Sequence, residues 1–293
     1  MKSIYITGSS GFIGTNFKNV FNNKYSIINY IRGQKIDIQT DIVLHLAGKA
    51  HDTKNKNDLK SYYTSNTIFT NEIFNNFLAS NAKIFIYISS VKAVVDYTND
   101  ILVEENFPMP YSEYGISKLL SEFNILTKCT NLSKKVFILR PAMIHGENNK
   151  GNLNTLYKFL KLGLPWPLLA FENNRSFCCI DNLFFIIEEL IEREDIQNGI
   201  YNICDDEAIS TNELVEIIYT VLKKKSNKMT INKKIIFFFA KIGDFFMLPF
   251  NSDKLEKLTN NFVVSNNKIK LAIGKNLPYS TRDGLIKTLS NFH

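Results

Sequence analysis

Apolar positions along this chain come in short runs separated by longer amphipathic stretches. Ser3 to Ile6 has a strand-like pattern and runs straight into Gly8, Gly11 and Gly14, while Phe12, Ile13, Phe17, Val20 and Phe21 mark one face of a following helix. Ser26 to Tyr30 reads as a second strand, ending near Ile31 and Arg32, and Ile42 to Leu46 as a third. Only the nine residues Gly33 to Asp41 join them. A crossover helix with its loops takes about a dozen residues, so this connection is expected to be pared down. A helical segment from Asp58 to Ala79, a strand from Ile84 to Ile88, a helix from Tyr114 to Thr127 and a strand from Val136 to Leu139 follow. Strands alternating with helices predict an α/β fold built on a doubly wound parallel sheet.

From His145 the pattern loosens. Asn152 to Leu162 is helical, Gly163 to Leu168 (GLPWPL) is a proline-rich turn, and Ser176 to Ile180 is a short strand before a helix ending near Arg193. Tyr201 to Ile203 is another strand. Ser210 with Glu213, and Ser280 with Asp283, open two further helices through capping-box spacing. Segments after residue 176 are expected to return to the large sheet. Because a glycine turn between a first strand and a helix is the pattern of a dinucleotide cradle, this gives a dinucleotide-binding domain over 1–146 and 176–204 and a smaller C-terminal α/β substrate lobe over 147–175 and 205–293. The apolar run Ile235 to Phe250 contains Lys241 and Asp244 and is shorter than the ~20 residues a membrane span needs. It reads as a buried or pocket-lining helix, with peripheral contact to a membrane surface as the minor alternative.

Composition changes this picture little. The 293 residues, 45% hydrophobic, suffice for a substantial core. Cys129, Cys178, Cys179 and Cys204 form no CxxC pair, which predicts neither zinc nor a disulfide framework and fits a reducing cytoplasm. The start of the chain lacks a basic region followed by an apolar run and a cleavage site, so no signal peptide is expected. A net charge of +7 is carried mostly by scattered lysines, which argues against nucleic acid as a partner. His45, His51 and His145 lack metal-ligand spacing and His293 is terminal, so no metal is implied.

The glycines carry the first chemistry. A strand, a glycine turn and a helix form a Rossmann-type cradle, in which the turn is tight and a diphosphate meets backbone N–H groups at the positive end of the helix dipole. The spacing here is GxxGxxG, placed directly after the first strand. The second feature is Tyr114 with Lys118, four apart and therefore on one helix face. With 13 tyrosines and 30 lysines in 293 residues, chance supplies about one such pair. The chain has three, the others being Tyr157/Lys161 and Tyr219/Lys223. Tyr114 alone follows an apolar strand ending in a serine pair, Ser89 and Ser90, and ligands of open α/β sheets sit at the carboxyl ends of strands.

TGSSGFIG at the N-terminus, HLAG at Leu46 to Gly48, Asn66, the Ser89/Ser90 strand end, YGISK at Tyr114 to Lys118 and RPAMIHG at Arg140 to Gly146 together resemble the extended short-chain dehydrogenase/reductase family. KGNL (Lys150 to Leu153), GLPWPL, NNRSF (Asn173 to Phe177), IDN (Ile180 to Asn182) and FVVSNNKIK (Phe262 to Lys270) extend the likeness over nearly the whole chain. Within that family the chain looks like the sugar-nucleotide 4-epimerases, 4,6-dehydratases and 4-keto reductases. It most resembles reductases of UDP-linked 4-keto-6-deoxy-N-acetylhexosamines of surface polysaccharide biosynthesis.

The resemblance implies Tyr114 as the proton donor, Lys118 as its electrostatic partner and holder of the nicotinamide ribose, and Ser90, rather than Ser89, as the group polarising the ketone. It implies a cofactor site of Gly8, Gly11, Phe12, Ile13, Gly14, Arg32, Asp37, Leu46, Ala47, Gly48, Asn66 and Lys118. Asn66 is expected behind the catalytic lysine, an exposed helix asparagine being the alternative. Lys92, Asn152 and Arg175 are the substrate-binding candidates, Arg175 because a forked guanidinium suits a diphosphate and Lys92 reaching either substrate or solvent. The family's dehydratases place Asp-Glu after the serine, whereas Val91 and Lys92 stand here, which argues against dehydration. The second strand has no carboxylate from Ser26 to Arg32, so NADP(H) is expected in preference to NAD(H), with Arg32 against the 2′-phosphate. A UDP-hexose 4-epimerase with tightly bound NAD is the main alternative. A dinucleotide-binding sensor without catalysis is disfavoured by the intact Tyr and Lys. A homodimer is implied.

Overall fold

The apolar runs become the inner strands of one parallel sheet. In the computed structural model, which describes residues 1–50, 59–129, 133–149, 151–248 and 250–292, the chain begins with β1 (Ser3–Thr7), α1 (Phe12–Phe21), β2 (Ser26–Asn29) and β3 (Ile42–His45). Next come α2 (Leu59–Tyr62), a π-helical turn over Tyr63–Ile68 and α3 (Phe69–Ala79). These are followed by β4 (Ile84–Ile88), α4 (Glu113–Leu126), β5 (Lys135–Pro141), β6 (Met143–His145) and α5 (Asn152–Lys161). Then β7 (Phe177–Cys179) leads into α6 (Ile180–Glu192) and β8 (Gly199–Ile203). The chain continues through α7 (Thr211–Leu222), α8 (Lys233–Phe245), α9 (Ser252–Thr259), α10 (Asn267–Ile273) and α11 (Thr281–Ser290). His51, Asp58, Lys150 and His293 lie outside the described residues.

The sheet has six parallel strands in the order β2-β1-β3-β4-β5-β8, the α/β architecture the sequence predicts. β3 and β4 are apolar along their length because helices or loops cover both faces of a parallel sheet. On one face Phe17 and Phe21 of α1 and the apolar stripe of α6 pack against Ile4, Ile6, Leu44 and Ile86. On the other, Ile73, Phe74 and Phe77 of α3 meet Val43, Phe85 and Tyr87.

No helix joins β2 to β3, as the short connection predicts, although β2 ends at Asn29 and the link is therefore residues 30–41 rather than the nine expected. Ile36 and Ile38 are instead buried in alternation with exposed Asp37 and Gln39, so an extended strip covers the sheet where a helix would lie. The expected return to the large sheet after residue 176 holds for β8 alone. β7 pairs with β6 in a separate two-stranded parallel sheet. A third apolar cluster gathers α5, α7, α9 and α11 through residues such as Leu156, Leu160, Val215, Ile218 and Leu285.

The expectation that Ile235 to Phe250 forms a buried or pocket-lining helix is overturned as far as burial goes. Only Ile236, Ala240 and Gly243 of α8 are buried, while Phe238, Phe239, Phe245 and Phe246 face outward. The cluster beneath takes up one narrow stripe, and the helix has more apolar residues than that stripe can cover.

Candidate active site

The glycine turn is fixed by contact. Gly8 has φ +71°, and a Cβ there would lie 2.7 Å from the Ala47 nitrogen, so the HLAG loop after β3 closes directly over the first turn. A Cβ at Gly14 would lie 2.4 Å from the Gly8 carbonyl oxygen, which is how α1 packs tightly against the turn. The helix starts at Gly11 with no side-chain cap and no acid in its first turn. Its leading N–H groups are thus left for an anion, and the dipole adds to the attraction. Phe12 and Ile13 are partly buried against the sheet, and the Phe12 ring approaches the loop at Gly146. Leu46 also packs on this core. These features fit a dinucleotide diphosphate.

The chemistry gathers at the carboxyl end of β4. Ser112 caps α4 by accepting the Gly115 N–H at 3.1 Å, and the Asp96 carboxylate accepts the N–H groups of Tyr111 and Ser112, each at 2.9 Å. This sets Tyr114 on the first turn of α4, near enough for the Ser90 hydroxyl to influence its phenol. Burial pushes the phenol up to about 12, and the Ser90 hydroxyl opposes the shift. One turn on, the Lys118 ammonium donates to the Ile88 carbonyl at 2.8 Å and lies 4.8 Å from the centre of the Tyr87 ring. Burial pulls it down to about 8, with the Glu122 carboxylate acting in the other direction.

The two serines have different tasks. Ser89 is buried and its hydroxyl donates to Glu122, whereas Ser90 turns toward Tyr114 and also accepts the Lys92 N–H at 3.2 Å. Glu122 in turn takes Arg140, with Nη2 at 2.6 Å and Nε at 3.0 Å. Sequence reading missed this buried triad, whose members lie far apart along the chain. Arg140 within RPAMIHG is the one signal, since an arginine in an apolar strand demands an acid.

Asn66 is fully buried, against the alternative of an exposed helix asparagine. It sits in the π-helical turn, and its amide donates to Ser117 Oγ at 2.8 Å and to the Lys49 carbonyl at 3.1 Å while its oxygen accepts the Lys49 N–H at 2.7 Å. It therefore ties the loop after β3 to α4. A Cβ at Gly48 would lie 3.1 Å from both Asn66 Oδ1 and the Lys118 ammonium, so those two groups converge on that backbone. Tyr62 stands edge-on to Tyr114 at 6.2 Å, and Lys49 lies 5.1 Å from the centre of the Tyr62 ring.

The remaining candidates spread outward. Arg32 and Asp37 are exposed on the β2 side, Asp37 accepting Gln39 Nε2 at 2.8 Å. Lys92 is 3.9 Å from Asp96, and burial followed by the positive charges of Lys257 and Arg175 lowers its pKa against the pull of Asp96. Arg175 is half-buried, donates to the Asn260 carbonyl at 3.1 Å and is lowered by burial. These two cations face the same region. Asn152 is exposed at the start of α5, and among the described residues no hydrogen bond joins it to Lys92 or Arg175. His45 and His145 are structural. His45 is held between Thr7 at 2.6 Å and Thr70 at 2.8 Å and burial lowers it to about 3, while His145 meets Thr288 at 2.9 Å.

A parallel sheet with a glycine cradle at its first turn, and a Ser, Tyr and Lys grouped at a strand end, defines a Rossmann-type α/β enzyme. The NAD dependent epimerase/dehydratase family matches residues 4–204, and the chain belongs to that family. It is 28% identical over 320 aligned residues to a UDP-glucose 4-epimerase of Vibrio cholerae, covering 99% of this chain and 95% of that one. UDP-glucuronic acid 4-epimerase from Bacillus cereus in complex with NAD has a similar fold, with TM-score 0.77, 18% identity and coverage of 99% and 96%. RMD from Pseudomonas aeruginosa complexed with NADPH does as well, with TM-score 0.77, 17% identity and coverage of 100% and 97%.

Proposed function

We propose that this chain transfers hydride at C4 of a UDP-sugar. In our reading it is an NADPH-dependent reductase of a UDP-linked 4-keto-6-deoxy-N-acetylhexosamine for surface polysaccharide biosynthesis, working in the cytoplasm. The observation that carries the reductase reading is the β2 side of the cradle, where no helix covers the β2–β3 connection and Arg32 is exposed without an acid on the strand. An open adenine end suits a cofactor exchanged at every turnover. The dinucleotide, when bound, supplies the hydride. Tyr114, a phenol in the free protein, gives its proton to the oxygen that becomes the C4 hydroxyl. Ser90 donates to the same oxygen, and the Lys118 charge steadies the phenolate left behind. Asn66 holds the loop and helix that flank Lys118. Arg175 and Lys92 take the substrate diphosphate, with Asn152 at the open start of α5 as a further donor.

Arg32→Ala is expected to erase an NADPH-over-NADH preference on the order of 10- to 100-fold, the worth of one charge-assisted phosphate contact. The check is kcat/KM with each cofactor on the 4-keto substrate. The Vibrio cholerae relative favours a second reading, a UDP-hexose or N-acetylhexosamine 4-epimerase that keeps its NAD. Epimerisation with no added cofactor, or an NADH preference in the wild type, decides for that reading.

Arg175→Ala is expected to raise KM while kcat stays within a fewfold, because a diphosphate contact remote from C4 is shared by ground and transition states. A collapse of kcat at saturating substrate would remove Arg175 from this role. We also read the protein as a homodimer. Ile68, at the end of the π-helical turn beside α3, and Leu120, Phe123 and Leu126 on α4 stay exposed, and a second copy of the same face would bury them.

A further inference from the structure

We propose that α8 and the turn after it seat this protein on an anionic lipid bilayer. The helix has a narrow inward stripe, Ile236, Ala240 and Gly243, and an outward face of Ile235, Phe238, Phe239 and Phe245. Residues 238 and 245 are two turns apart and share one side, as do 239 and 246. The rings pair with each other rather than with the core: Phe238 and Phe239 have centroids 5.9 Å apart, Phe245 and Phe246 4.9 Å apart. Single exposed apolar side chains are ordinary, whereas a contiguous aromatic patch marks a contact surface.

The end of the helix is built to present this patch. Phe246 is its C-cap, Met247 has φ +53°, and the Leu248 N–H returns to the Gly243 carbonyl at 2.8 Å, which is a Schellman turn. The left-handed position of that turn normally holds glycine or asparagine. Here it holds a methionine that is 93% exposed, next to a Phe245 that is 80% exposed. An unfavourable backbone conformation thus carries an apolar side chain to the outermost point of the turn.

Charge identifies the partner. Residues 223 to 257 contain nine lysines and three carboxylates, a local excess close to the net +7 of the whole chain. Lys228 pairs with Glu216 and Lys257 with Asp253, and the Asp244 carboxylate accepts from Ser252. Lys234 and Lys241, on α8 itself, are exposed and make no ion pair among the described residues, while the Lys233 ammonium lies 5.4 Å from the centre of the Phe171 ring. An aromatic face flanked by exposed lysines is the pattern of an interfacial helix. Anionic headgroups complete it, and a second copy of the chain, equally cationic here, would repel.

The test is co-sedimentation of the full-length protein with vesicles of equal parts phosphatidylglycerol and phosphatidylcholine, against vesicles of phosphatidylcholine alone. The expected result is binding to the anionic vesicles that weakens as salt rises. Phe245→Ser/Phe246→Ser/Met247→Asn should lose roughly tenfold or more of that binding. The exposed pair Lys234→Glu/Lys241→Glu should lose on the order of tenfold with no apolar residue replaced, which keeps the test informative if the first variant folds poorly. Absence of binding to anionic vesicles by the wild type overturns the proposal, as does binding unaltered in the lysine variant. A wild-type oligomer that dissociates in the triple variant, without vesicle binding, would assign the patch to contact between copies.

Discussion

Replacing Tyr114 with Phe is expected to lower turnover by roughly 10² to 10⁴ while the fold and cofactor affinity persist, the usual consequence of losing a general acid. The ring still fills its place beside Tyr62, and only the hydroxyl near Ser90 disappears. The other two YxxxK tyrosines are the controls. Tyr157 donates to the Phe292 carbonyl at 3.2 Å and Tyr219 to the Asn227 carbonyl at 3.0 Å, both in the apolar cluster of the C-terminal helices. Their Phe variants should keep near-parental turnover and lose only a little stability. Steady-state kinetics on all three decide the matter, and equal losses would refute the choice of Tyr114.

The largest expected loss of stability is at Glu122. Its carboxylate accepts from Ser89 and from two nitrogens of Arg140, and both partners of the ion pair are almost fully buried. Glu122→Ala leaves the guanidinium buried without a counter-charge, a change that typically costs about 3 to 5 kcal/mol. Thermal unfolding should show a midpoint lower by roughly 5 to 15 °C for a chain of this size. The double variant Glu122→Leu/Arg140→Met should recover most of the loss, because removing both charges also removes the desolvation they suffer. A single variant as stable as the parent would show that the pair contributes nothing.

Much of this architecture was legible in the sequence because burial on both faces leaves a plain trace. β4 is apolar throughout, β3 and β5 carry apolar runs over Ile42 to Leu44 and Val136 to Leu139, and the gap between β2 and β3 is short enough to count. What stayed hidden depends on choices that local pattern does not encode. The π-helical turn around Asn66 adds one residue to a helical turn without changing its composition. The partner of β7 is another three-residue strand whose apolar content is no different from that of a sheet strand. The Ser89–Glu122–Arg140 triad joins residues up to 51 positions apart. α8 misled for a different reason. When both faces of a helix are apolar, composition does not say which one meets the core.

The bare β2 side has a consequence for solubility. β2 is the last strand of the sheet on that side, so its outer backbone faces no neighbouring strand among the described residues. Such an edge is a template on which a strand from another molecule can add. Here the template is only four residues long, Ser26–Asn29. So short a rim offers few backbone groups for edge-to-edge stacking, which lets the chain omit a covering helix without becoming prone to aggregate.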